Sequence, residues 1–120
     1  MMELTIDGVV YNFNFGYGFM KELNPKVKQP VDGIPGRVEE IGMKYEIARL
    51  LDGNIEALVN ILMAANKGQT PRLTGKAIEA YIEDPDTDID NLFDEVKDFL
   101  SSANVTRKEM QNLLKLMEEQ

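Results

Sequence analysis

The residues best placed to do chemistry are nine acids crowded into positions 79–98: Glu79, Glu83, Asp84, Asp86, Asp88, Asp90, Asp94, Glu95 and Asp98. Only Lys97 opposes them, so this stretch carries a local charge of −8, equal to the net charge of the whole chain. Asp84, Asp86, Asp88, Asp90 and Glu95 match positions 1, 3, 5, 7 and 12 of a calcium-binding EF-hand loop. The template also needs Gly at position 6 for its sharp turn, and Ile89 stands there; Pro85 adds a constraint at position 2. Specific calcium binding is therefore not expected. The run reads as a solvated helix face, with acids near the positive end of a helix dipole, or as a docking face for a basic partner. Asp86, Asp88, Asp90 and Asp94 are its candidate contacts.

Other chemistries lack their residues. The chain has no His and no Cys, which removes the commonest general base, the commonest metal ligand and the best nucleophile. Ser101 and Ser102 have no base in view. Gly16-Tyr17-Gly18 begins like a phosphate-binding GxGxxG, but Lys21 takes the third glycine's place and no βαβ unit is evident after it. A glycosidase-like carboxylate pair needs one acid buried in a cleft, which a run this highly charged does not suggest. The expectation is a non-enzymatic protein without cofactor or metal. Net charge of −8 argues against nucleic acid and against anionic membrane surfaces as partners. No segment is long and apolar enough to span a membrane, and the N-terminus lacks a signal-peptide profile.

These groups must be positioned by a fold that 120 residues can build as one domain, 1–120, around a single core. Asp7-Gly8 separates two apolar-rich runs and suits a two-residue hairpin turn. Period-2 alternation puts Val9, Tyr11, Phe13 and Phe15 on one face, with Leu4 and Ile6 across the turn. Residues 1–15 thus form a β-hairpin, and residues 16–120 are mainly helical. Such a hairpin cannot stand alone, so it must lie on the helical part of the chain. The doubled Met1-Met2 carries no weight in this reading.

Three prolines and two glycines make residues 25–36 a loop. From Arg37 the spacing turns helical, with Val38, Ile41, Tyr45, Ala48 and Leu51 in one stripe and Gly42 as a local weakness. Asp52-Gly53 ends that helix and Asn54 caps the next. Ile55, Leu58, Val59, Leu62 and Ala65 line the next helix, which reads as central and buried on more than one side. Thr74 opens a short helix with Ala77, Ile78, Tyr81 and Ile82 on one side; Asp84-Pro85-Asp86 ends it. Thr87 or Asp88 caps the helix carrying Ile89, Leu92, Phe93, Val96 and Leu100. Thr106 and Glu109 form a capping box for a last helix with Met110, Leu113, Leu114 and Met117. The fold class is α+β: an N-terminal β-hairpin packed on a small bundle of about five α-helices.

Met suits both core gaps and adaptable binding surfaces. Core is the better reading for Met63. Met110, Leu113, Leu114 and Met117 share one apolar face that either packs on the domain or receives a partner.

The opening resembles the phage tail assembly chaperones of long-tailed phages that infect Gram-positive bacteria. The resemblance rests on a short hairpin that runs through Phe15-Gly16-Tyr17-Gly18-Phe19 into a helix ending at Lys21-Glu22-Leu23-Asn24. It extends more loosely to the length, the helical remainder and the acidic C-terminal third. It implies a protein of the infected cell's cytoplasm, absent from the mature virion. Such proteins hold the tape measure protein in solution until tail tube subunits polymerise around it. Self-association and a longer frameshifted form, with an appended domain recruiting tube subunits, are also implied. Two other readings stay open: another small phage structural or head-tail protein, and an acidic regulatory module that binds a basic protein.

Overall fold

A computed structural model describes residues 1–119. It is an α+β fold with the hairpin first and the helices after it. Strands β1 (Met2–Ile6) and β2 (Val9–Phe13) pair antiparallel, with Ile6 opposite Val9, Leu4 opposite Tyr11 and Met2 opposite Phe13. Asp7 and Gly8 turn the chain at φ of 50° and 78°, the positive values a two-residue hairpin requires. Alternation in β1 is strict: Met2, Leu4 and Ile6 are buried, Glu3 and Thr5 exposed. In β2 only Phe13 is buried; Tyr11 is half-buried and Val9, at the turn, is exposed. Met2, to which the sequence assigned no role, is wholly buried and belongs to the core.

Among the described residues six helices complete the fold: α1 (Tyr17–Leu23), α2 (Gly42–Leu51), α3 (Ile55–Asn66), α4 (Gly75–Glu83), α5 (Ile89–Ser102) and α6 (Arg107–Glu118). That is one more than the expected five. α1 runs directly into a single 3-10 turn at Asn24–Lys26. Three helix starts are capped as expected: Asn54, Thr74 and Asp88 each accept a bond from the backbone N–H three residues on. Gly53 takes the left-handed conformation after α2, at φ 82°.

The span from 25 to 41 differs most from its expectation. Instead of a loop and then a helix from Arg37, it holds a second antiparallel hairpin, β3 (Lys28–Pro30) with β4 (Val38–Glu40). Its tip is closed by Val31 N–H to Arg37 C=O at 2.9 Å, and its base by Ile41 N–H to Val27 C=O at 2.8 Å. Val38 is therefore a strand residue, and α2 starts four residues later. The buried face of α2 is Met43, Glu46, Ile47 and Leu50, whereas Tyr45 of the expected stripe is exposed. The helix phase follows from its docking. Gly42 sits so tightly against α1 that a Cβ would lie 1.7 Å from the Leu23 carbonyl oxygen. Asn24 Oδ1 accepts from the Met43 N–H at 3.0 Å beside it.

α3 occupies the centre, as its apolar surface indicates. Ala57, Leu58, Ile61, Leu62, Ala64 and Ala65 are buried, and β2, α1, α2 and α4 pack around the helix. Its C-terminal end anchors the first hairpin. Asn14 N–H donates to the Ala65 carbonyl at 2.8 Å, and Asn66 Nδ2 donates to the Asn12 carbonyl at 3.0 Å. Asn66 is fully buried and makes three further bonds: Nδ2 to Pro71 C=O, and Oδ1 from Leu73 N–H and Arg72 Nη1. One hydrophobic cluster runs from Met2 through α3 to Leu113.

α5 buries Leu92, Phe93, Val96 and Leu100, which matches the expected stripe, with Ile89 half-buried at its start. The capping box at Thr106 does not form. Thr106 has helical backbone angles and its buried hydroxyl donates to the Leu100 carbonyl at 2.6 Å, binding the start of α6 to the end of α5. A threonine with an αR backbone cannot direct its oxygen to the N3 amide as a cap does.

Two substitutions test this framework. Gly42→Ala places a methyl group inside the Leu23 carbonyl and forces α1 and α2 apart; chemical denaturation should show a loss of about 3 kcal/mol or more. Asn66→Ala leaves the buried Leu73 amide and two carbonyls without partners, and should lower stability by about 2–4 kcal/mol.

Candidate functional site

The apolar face expected on α6 is divided by the packing. Met110 and Leu113 are 2% and 8% exposed and belong to the core. Leu114 and Met117 point outward at 40% and 45% exposure, and Leu116, which the spacing did not single out, is more exposed still at 53%. The exposed part of the face is therefore the helix's last turns, with Met110 and Leu113 holding them down. Three large apolar side chains thus stand partly exposed within four residues at the helix end.

The acidic run wraps the α4–α5 connection. Asp84 closes α4 and its Oδ1 accepts from the Asp86 N–H at 2.9 Å; Asp88 caps α5; Asp90 lies in the first turn of α5. Asp86, Asp88, Asp90 and Asp94 are all exposed. The EF-hand spacing is broken by the start of α5: Ile89 packs half-buried against the core, and Asp90 and Glu95 are carried off along a helix. Among the described residues no three acids come together in a way that could hold a metal ion. Two of the carboxylates already serve the backbone, which accounts for part of their concentration here without a ligand.

A third feature was not anticipated. A cleft of about 360 Å³ opens between α1, the 3-10 turn, α2 and α3. On its floor Glu46 is 5% exposed, yet fully partnered: Oε1 accepts from Arg49 at 2.6 Å and Oε2 from Asn60 at 2.7 Å. Arg49 also reaches Asn54 and Glu56, at 3.1 and 3.2 Å, and lies 5.2 Å over the Tyr45 ring. Burial works against its charge, but the bond to Glu56 and the charge of Glu46 outweigh it and hold its pKa above the usual arginine value. The only sequence signal for this network is Glu46 itself, an acid on the face that also carries Met43, Ile47 and Leu50.

At the rim Glu22 bridges two lysines, Lys67 at 2.5 Å and Lys26 at 3.4 Å. The Lys67 ammonium, with Lys26 helping and partial burial opposing, holds the Glu22 carboxyl below its ordinary 4.5. Arg72 stands on the other side. Its Nη1 donates to the Met63 carbonyl at 3.0 Å and Asn66 Oδ1 at 3.1 Å, and no carboxylate among the described residues pairs with it.

The architecture is a hairpin-backed helical body with exposed apolar and acidic surfaces. The model of the family described as phage tail assembly chaperone protein, TAC, matches residues 3–115. The chain belongs to the phage tail assembly chaperone family. Neither curated proteins nor solved structures provide a match. No helix among the described residues is long and apolar enough to cross a membrane.

The Glu22 pair has a testable sign. A carboxyl with a lowered folded-state pKa adds stability above its unfolded value and loses it as pH falls through the folded one. At pH 7, Lys67→Ala should be less stable than wild type by under about 1 kcal/mol, because the pair is largely exposed. Thermal melts at decreasing pH should show that gap closing below 4.5. A gap that persists in full at pH 2 would remove the charge explanation.

Proposed function

We propose that this chain binds the tape measure protein of its phage and keeps it soluble until tail tube subunits polymerise around it. It acts by binding alone, without catalysis, cofactor or metal. The supporting observation is the exposed apolar end of α6 in a chain of this family. Leu114, Met117 and Leu116 offer a flexible hydrophobic contact of the kind that accepts many related sequences. Met110 and Leu113, buried beneath, fix the helix that presents them. The client is a long helical chain with apolar stripes, and such a surface suits it.

The acids at positions 79–98 complete the role. Asp86, Asp88, Asp90 and Asp94 keep a complex with an aggregation-prone client charged and in solution, and they attract its basic segments. In this reading the whole chain, 1–120, works as one domain in the host cytoplasm and leaves before the virion matures. Several copies act along one client, which calls for self-association. Tail tube protein is the second partner, met as the tube grows.

Co-expression with the tape measure protein, then pull-down and mass measurement, tests the reading. Soluble complexes with several copies of this chain per client are expected. The double variant Leu114→Asp, Met117→Asp should retain its fold, since both side chains are exposed, and should lower the soluble client at least about fivefold. An unbound, insoluble tape measure protein in the presence of the wild-type chain would refute the role.

A further inference from the structure

The second hairpin is an arm with nothing to lie on. Every residue of β3 and β4 is exposed, and the main contact of the hairpin with the rest of the molecule is that of β4 with the 3-10 turn at its base. A two-stranded hairpin is marginal in water unless one face is covered. This one nevertheless has an ordered tip: Ile34 N–H donates to Val31 C=O and Arg37 N–H to Ile34 C=O, at 3.3 and 3.2 Å. The tip presents Ile34, 46% exposed, beside the Asp32 carboxylate. The molecule is correspondingly long, 51 × 31 × 24 Å with a radius of gyration of 15.1 Å. A compact chain of this length would have about 13–14 Å.

The cleft between α1, α2 and α3 has the complementary chemistry. Leu23, Val27, Tyr45 and Met63 give it an apolar wall. Glu22 and Glu46 of the lining pair with Lys26 and Arg49, which leaves Arg72 as its one cation without a carboxylate partner among the described residues. Val27 and Lys26 of the cleft lie at the foot of the arm. Six residues of extended chain carry the tip about 20 Å away from that foot, so the tip cannot fold back into its own cleft.

We propose that the arm of one copy docks in the cleft of another, with Ile34 against the apolar wall and Asp32 paired with Arg72. This rests on the self-association that the chaperone role calls for and gives it a surface. Two different patches meet, so the contact is heterologous and repeats from copy to copy, closing into a ring or continuing as a filament. Such an array would carry the α6 ends and acidic faces at regular intervals along a client. The arm would gain the cover that it lacks in the single chain.

Sedimentation velocity of the full chain across a concentration series, up to roughly 100 μM, reads the association. Wild type should form species larger than a monomer. Ile34→Asp and Asp32→Arg alter exposed tip residues, and Arg72→Glu alters the cleft. Each should weaken association at least about tenfold. Arg72→Glu placed in the same chain as Asp32→Arg should restore it. A mixture of Ile34→Asp with Arg72→Glu chains keeps one intact contact and should stop at dimers. Circular dichroism of each variant separates lost docking from lost fold. A wild-type monomer throughout would overturn both this contact and the self-association behind it. Assembly that ignores the tip substitutions, or a charge swap without rescue, would overturn the arm-in-cleft contact and leave association through another surface.

Discussion

The fold depends on one buried amide. Asn66, the last residue of α3, receives or gives four hydrogen bonds that join β2, α3 and the segment at 71–73. Such a group costs free energy unless every bond is made, and here one bond goes to β2 and three to the segment at 71–73. The first hairpin, too small to be stable alone, takes its place by this route and through the Ala65 carbonyl. α4 starts at Gly75, immediately beyond the segment that Asn66 holds. The order of the layers thus follows from satisfying one side chain.

A second constraint acts at the other end of α1. Gly42 allows the α2 backbone to meet the Leu23 carbonyl, an approach that no side chain would permit. That contact sets the rotation of α2 and decides which of its faces is buried. Glu46 is brought inside as a consequence, and Arg49 and Asn60 must come with it to balance its charge. The cleft between these helices, with Tyr45 and Arg72 on its rim, exists because the helices pack on a glycine and a charged network instead of a run of leucines.

The surfaces left over define what the protein offers. The exposed end of α6, the acidic connection between α4 and α5, and the cleft with its neighbouring arm lie on different elements. The proposed client binding and self-association would each use a separate face. The exposed large apolar side chains are scattered over several elements, which limits the continuous hydrophobic area shown to solvent.

Much of this was legible from local pattern. Asp7-Gly8, the alternation of β1, the caps at Asn54, Thr74 and Asp88, and the stripes of α4 and α5 are short-range effects. They depend on turn chemistry and on periodicity within a few residues. The aromatic-glycine stretch and the helix after it carried the family resemblance, and the family match agrees with it. The rest is decided by contacts distant in sequence. Proline and glycine marked residues 25–36 as irregular, but strand pairing with Val38–Glu40 is a long-range hydrogen-bond choice that no local propensity states. The phase of α2 is set by a carbonyl nineteen positions earlier, Leu23 against Gly42. Thr106 has the sequence of a cap, yet its hydroxyl is bound by Leu100 instead. The division of α6 into core and exposed residues reflects how far α5 and α2 reach along it, and only packing reports that reach. Composition determined the charge, and residue order the alternation of core positions, because both are local; tertiary structure alone decided which polar groups were buried together and which apolar ones stayed exposed, because that depends on contacts distant in sequence.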